Sequence, residues 1–139
     1  MFRPLNAGMM SASNIVHYER FRKVLDAFPN RLPKRVLSPY ETKLAAGFPD
    51  PTYYLARRWA AKVLARSLLR EHGLFNINID QIQILNSDSG RPHIKFTHDV
   101  SLNPIEARLT ESSMMISISD EPPYAVITII VVLEGSSER

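Results

Sequence analysis

Between Asp50-Pro51 and Gly73 the chain contains neither glycine nor proline, and its apolar residues recur at helical spacing. Leu55, Trp59 and Val63 form one line, with Ala56, Ala60, Leu64 and Leu68 beside it. Side chains three and four apart share a helix face. The pattern therefore predicts one long helix opened by Asp50-Pro51, running to about Glu71 and closed by Gly73. Arg58, Lys62 and Arg66 stand at four-residue intervals and share a second face. An apolar stripe of that length has to be covered by other elements.

The flanking segments supply that cover. Gly8 to Val16 is apolar, rich in small residues and reads as a first strand. Residues 17–28 carry Phe21, Val24, Leu25 and Phe28 at helical spacing, and Pro29 and Pro33 punctuate the chain after them. Ser38-Pro39-Tyr40-Glu41 marks a helix start: Ser38 as N-cap, proline at the first helical position, a glutamate three residues after the cap. Beyond Gly73, Ile77, Ile79, Ile82 and Ile84 predict a strand over 77–85 with one slip, read as a bulge. Residues 86–90 form a turn, and His93 to Thr97 returns. Pro104 to Thr110 is expected to be a short helix. Met114 to Ser119 and Ala125 to Leu133 close the fold as a strand pair. The expected class is α+β, a long central helix packed on an antiparallel sheet. Residues 1–7 are read as a flexible leader, 8–134 as one domain and 135–139 as a tail.

Composition limits the classes of function. The 139 residues include no cysteine, which excludes disulfides and thiolate metal sites. No apolar run approaches the roughly 20 residues of a membrane span. No apolar segment of a signal peptide follows the N-terminus, so the expected location is cytoplasmic. Seventeen basic and fourteen acidic residues leave a net charge of +3, with Arg20, Arg22, Lys23, Arg31, Lys34 and Arg35 crowded in the first third. Such a face attracts an acidic partner. Few aromatics interleave with these cations and no nucleic-acid motif is present, so nucleic acid is not the expected partner. His17, His72, His93 and His98 lack the paired spacing of a metal site. Trp59 and the methionine pairs Met9-Met10 and Met114-Met115 are read as packing residues. Ser117 and Ser119 have no histidine partner in their sequence context, which argues against a serine nucleophile.

Six segments in order carry a family resemblance: Ala12-Ser13-Asn14-Ile15-Val16, Tyr18-Glu19-Arg20-Phe21-Arg22-Lys23, Arg35 to Glu41, Leu55 to Leu64, Gly90-Arg91-Pro92, and Ile116 to Glu121 followed by Tyr124-Ala125. Together they resemble the holo-acyl-carrier-protein synthases, a family of 4′-phosphopantetheinyl transferases, over about Met9 to Glu134. The resemblance implies transfer of 4′-phosphopantetheine from coenzyme A to a serine of an apo acyl carrier protein, in fatty-acid or polyketide biosynthesis. It implies Arg58, Lys62, Arg66, Gly90, Pro92 and Ser117 around coenzyme A, and Lys62 and Asp120 as catalytic groups. It places carrier-protein docking on Arg20, Arg22 and Lys23, and it implies a homotrimer with the site at the protomer boundary.

The family also binds magnesium, through an acid at the end of the first strand and a glutamate on the central helix. Here those positions are Asn14 and Val63. His17 stands where many members have a further acid, Ala12 replaces a glycine, and Leu69 to Gly73 replaces a glycine-rich loop. Magnesium prefers hard oxygen ligands, usually one or two carboxylates with waters and substrate oxygens. Two functions therefore stand side by side. One is an active transferase with a rebuilt site that draws on Asn14, Lys62, and Asp120 or Glu121. The other is a catalytically inactive relative that binds a carrier protein without transferring the arm.

Overall fold

A computed structural model describes residues 3–6, 9–102 and 114–132. Two antiparallel sheets surround a long helix. The larger sheet holds β1 (Arg3–Asn6), β2 (Met9–His17), β6 (Tyr124–Val132) and β5 (Met114–Glu121), in that spatial order. The smaller is the hairpin β3 (Ile82–Asn86) and β4 (Pro92–Phe96). Four helices complete the fold: α1 (Tyr18–Ala27), α2 (Arg31–Val36), α3 (Pro39–Ala45) and α4 (Thr52–Glu71). The α+β class holds, with the sheet divided in two.

The predicted central helix is α4. Leu55, Ala56, Ala60, Ala61, Leu64, Ala65, Leu68 and Leu69 are all at most 1% exposed. The alanines let β2 and β6 approach closely, and the strands answer with Ala12, Val16, Ala125, Ile127, Ile129 and Val131. Strand alternation sets this register. Because Asn14 pairs with Ile127 and Val16 with Ala125, Asn14 stands on the face that meets α4.

Several boundaries differ from expectation. Arg3–Asn6, inside the segment read as a leader, is a strand beside β2. The region punctuated by Pro29 and Pro33 contains α2, with Pro33 in its first turn. A proline there removes an N–H that has no intrahelical acceptor, so the helix tolerates it. The slip between Ile79 and Ile82 is a 3-10 turn over Ile79–Gln81, not a bulge. β5 continues to Glu121, leaving Pro122-Pro123 as the hairpin turn. The helix expected over Pro104 to Thr110 lies outside the described residues.

The α3 start is the capping box the sequence predicted: Ser38 Oγ accepts from the Glu41 N–H at 3.2 Å, and Glu41 accepts from the Ser38 N–H at 3.0 Å. Ser38 is fully buried and also donates to Gln83 at 2.8 Å, joining α3 to β3. Ser38→Ala should therefore cost about 1–2 kcal/mol, the upper part of the N-cap range. Urea unfolding will measure it; a change below a few tenths would mean that the cap does not hold α3.

Candidate functional site

The inner face of β2 meets the middle of α4 at Asn14. Its Nδ2 donates to the Ala60 carbonyl at 3.2 Å, and its Oδ1 accepts the Ile15 N–H at 2.9 Å. Val63, half-buried, lies three residues beyond Ala60 on the same side of the helix. The fold thus brings together the two positions that the sequence singled out, one on a strand and one on a helix.

Asp120 stands on the same sheet face, since it pairs with Ala125, which pairs with Val16. It is the one acid on the inner face of the described β2, β5 and β6 residues. Its carboxylate accepts a short hydrogen bond from the Tyr18 hydroxyl. Arg57 Nη1 donates to the same hydroxyl at 3.2 Å and lies 3.9 Å from Asp120. Burial, and the acceptor Asp120, raise the Tyr18 pKa above its ordinary value, so the phenol keeps its proton and donates it. The Tyr18 ring stacks on Tyr53 at 4.0 Å, and its backbone N–H donates to Pro123 at 2.9 Å. Tyr18 and Arg57 carried no assigned role in the sequence. Thirty-nine positions separate them, and no local spacing announces the contact.

His17 caps α1, its Nδ1 accepting the Arg20 N–H at 3.3 Å. Beside it opens a hollow of ≈ 380 Å³, lined by Ile15, His17, Phe21, Leu32, Trp59 and Tyr124 among others, with Arg20 at its edge. Arg20 and Lys23 are exposed along α1, whereas Arg22 is held by Glu19 at 3.5 Å and by Asp50 at 3.1 Å.

The cations of α4 do not form one phosphate-facing line. Lys62 is fully buried; its ammonium donates to the Val36 carbonyl and to Glu41. Lys62, expected around coenzyme A and in catalysis, is instead sealed from solvent within this chain, its ammonium spent on Val36 and Glu41. Burial pulls its pKa below the ordinary value, and Glu41 opposes that shift. Arg58 is 5% exposed and lies over the Tyr54 ring, 4.5 Å from its centroid. Its Nε and the Tyr54 hydroxyl are buried without a hydrogen-bond partner among the described residues. Arg66 is half-buried. Gly90, at φ +86°, forms the β3–β4 turn that Pro92 leaves. Ser117 pairs with Thr128, on the sheet face opposite Asn14, so one chain does not bring Ser117 and Asn14 together.

A magnesium ion does not fit this donor set. Asn14 turns an N–H-bearing end to the helix and spends its oxygen on its own strand. Val63 has no donor atom. Asp120 is held by Tyr18 and faces a guanidinium. Among the described residues, no three His, Cys, Asp or Glu side chains converge on a metal-sized space. No described helix is long and apolar enough to cross a membrane.

No family model matches the chain. The holo-[acyl-carrier-protein] synthase of Shewanella denitrificans is 36% identical over 119 residues, covering 86% of this chain and 93% of that protein. Among solved structures, a holo-ACP-synthase from Plasmodium yoelii aligns with a TM-score of 0.70 at 21% identity, over 93% of this chain and 97% of that one. A Chronobacterium ammoniagenes ACPS-CoA complex aligns with a TM-score of 0.66 at 25% identity, over 91% and 98%.

Lys62 and Glu41 are both fully buried, so removing either charge leaves the other stranded. Lys62→Ala should cost about 3–5 kcal/mol. The double variant Lys62→Met with Glu41→Leu should recover much of that loss in chemical denaturation. Additive losses would show that the two side chains do not act as a pair.

Proposed function

This chain belongs to the holo-acyl-carrier-protein synthase family, and from that premise we propose that it transfers 4′-phosphopantetheine from coenzyme A to a serine of an apo acyl carrier protein. The serine oxygen forms a bond to the β-phosphorus of coenzyme A. The bond from that phosphorus to the departing 3′,5′-ADP breaks, and the serine proton passes to a base. Chemistry at a pyrophosphate is mainly positioning and charge stabilisation. The observation that carries the reading is the contact between Asn14 and Ala60. It joins two of the six segments that carry the family likeness. The binding-only alternative finds no support in the Shewanella denitrificans relative, which is named a synthase.

Within this reading Asp120 is the proton acceptor. Its side chain is 52% exposed while Tyr18 and Arg57 orient it. Arg58, with its unpartnered Nε, is the cation for a coenzyme A phosphate. Arg20 and Lys23 form the exposed basic edge for an acidic carrier protein. Ile15, Met115, Tyr124 and Val132, between 38% and 61% exposed, lie on the outer face of the large sheet. That apolar face supports a homotrimer, in which Ser117 of one protomer would reach the Asn14 side of another.

Intact-mass measurement of apo carrier protein incubated with coenzyme A and this protein tests the activity. A phosphopantetheine mass gain is expected; no gain with any apo carrier protein would overturn the reading. Asp120→Asn should slow loading by about a hundredfold, within the range for a general base. Arg20→Glu should raise the carrier-protein KM by roughly tenfold and leave the coenzyme A KM unchanged. Sedimentation equilibrium should return the mass of three chains, and a monomer would remove the protomer-boundary site.

A further inference from the structure

The groups around Asn14 have exchanged charge for neutral hydrogen bonding, with a consequence for the donor substrate. Asn14 is fixed at both ends, by Ala60 and by Ile15. His17 Nδ1 is occupied as the cap of α1. Val63 is apolar, and Asp120 is already neutralised by Arg57. A cation held by two carboxylates adds no net charge to a site. Removing the cation together with both carboxylates leaves the electrostatic balance unchanged, and a pyrophosphate can then be met by fixed protein cations alone. Arg66 is placed for this role. It lies three residues beyond Val63 on α4, so the two side chains are neighbours on the helix, and it is half-buried. Unlike Lys62, it is not sealed in the core.

We propose that this chain binds its pyrophosphate-bearing donor without a divalent cation, with Arg66 supplying the positive charge beside Val63. The proposal rests on the transferase reading for the identity of the donor. It goes beyond that reading in making donor binding independent of metal and in naming the group that replaces it. A guanidinium suits the task because it stays charged and offers paired N–H donors to phosphate oxygens.

Isothermal titration with coenzyme A, in excess EDTA and in excess Mg2+, reads the proposal directly. The same Kd is expected in both. Electron paramagnetic resonance of Mn2+ supplies an independent readout: the free-ion signal should be undiminished by the wild-type protein. Arg66→Gln should weaken coenzyme A binding on the order of tenfold in EDTA, the loss of one charge-assisted contact. Asn14→Asp with Val63→Glu should gain Mn2+ binding. Should that double variant fail to fold, as judged by circular dichroism, Asn14→Asp alone serves.

Coenzyme A binding abolished by EDTA, Mn2+ bound by the wild type, or an unchanged Kd for Arg66→Gln would each overturn the proposal. Failure to load a carrier protein, with metal-free coenzyme A binding intact, would sink the transferase reading and leave this one standing. Loading that requires Mg2+ would do the reverse. If coenzyme A binds under neither condition, both fail.

Discussion

The buried pair of Lys62 and Glu41 is the interaction on which the other elements depend. Glu41 accepts from Lys62, from the Ser38 N–H and, at 2.9 Å, from the Ile84 N–H. Lys62 also donates to the last carbonyl of α2, at Val36. Four elements therefore meet at two side chains: α2, α3, α4 and β3. Two isolated charges in a core would be prohibitively unstable. Here each has several hydrogen bonds, and that is the condition under which a buried pair is tolerated. Net stability is not the reason for such a pair, since an apolar substitute of similar volume is often neutral or stabilising. What it confers is register, because only one rotation of α4 about its axis satisfies both groups. That rotation sets which residues of α4 face β2, and so places Ala60 and Val63 opposite Asn14.

The local parts of this arrangement were legible in the sequence. The capping box at Ser38 and Glu41 is a three-residue pattern with its own chemistry, and α4 has an apolar stripe that no strand could carry. The other partners of Glu41 were not legible, because Lys62 is 21 and Ile84 43 positions away. The spacing of Arg58, Lys62 and Arg66 suggested a shared polar face, and spacing is blind to what lies opposite. Burial then divides the three residues: one sealed with a carboxylate, one over an aromatic ring, one half in solvent. α2 was missed for a related reason. Pro33 punctuates a helix only where its N–H is needed, and in the first turn it is not.

The site shows the same split. Asn14 and Val63 were identifiable because the family likeness fixes their positions, and the fold does set the Asn14 side chain against α4 at Ala60, one turn before Val63. The cluster of Tyr18, Asp120 and Arg57 was not, since its members come from α1, β5 and α4. It ties the start of α1 to the end of β5 beside the hollow at His17, and the Tyr18 N–H to Pro123 adds a second tie at the same corner. A corner held at two points keeps Asp120 in place when β5 and α1 are otherwise separate elements. Stacking on Tyr53 keeps the Tyr18 ring from rotating away from the carboxylate.

Electrostatics connects the corner to the hub. In a site handling a pyrophosphate, charge must be balanced somewhere, and neither Asn14 nor Val63 supplies a carboxylate to hold a bound ion. Three of its acids are internally committed: Glu41 to Lys62, Asp120 to Arg57, Asp50 to Arg22. Each pairing removes a negative group that would otherwise repel an anionic substrate. Among the cations outside the described ion pairs, Arg20 lines the hollow, Lys23 is exposed on the same helix, and Arg66 is half-buried on α4. Pairing the acids internally thus has two effects at once. It fixes the helices, and it leaves Arg20 and Lys23 on α1 exposed and outside the described ion pairs, where an acidic partner could meet them.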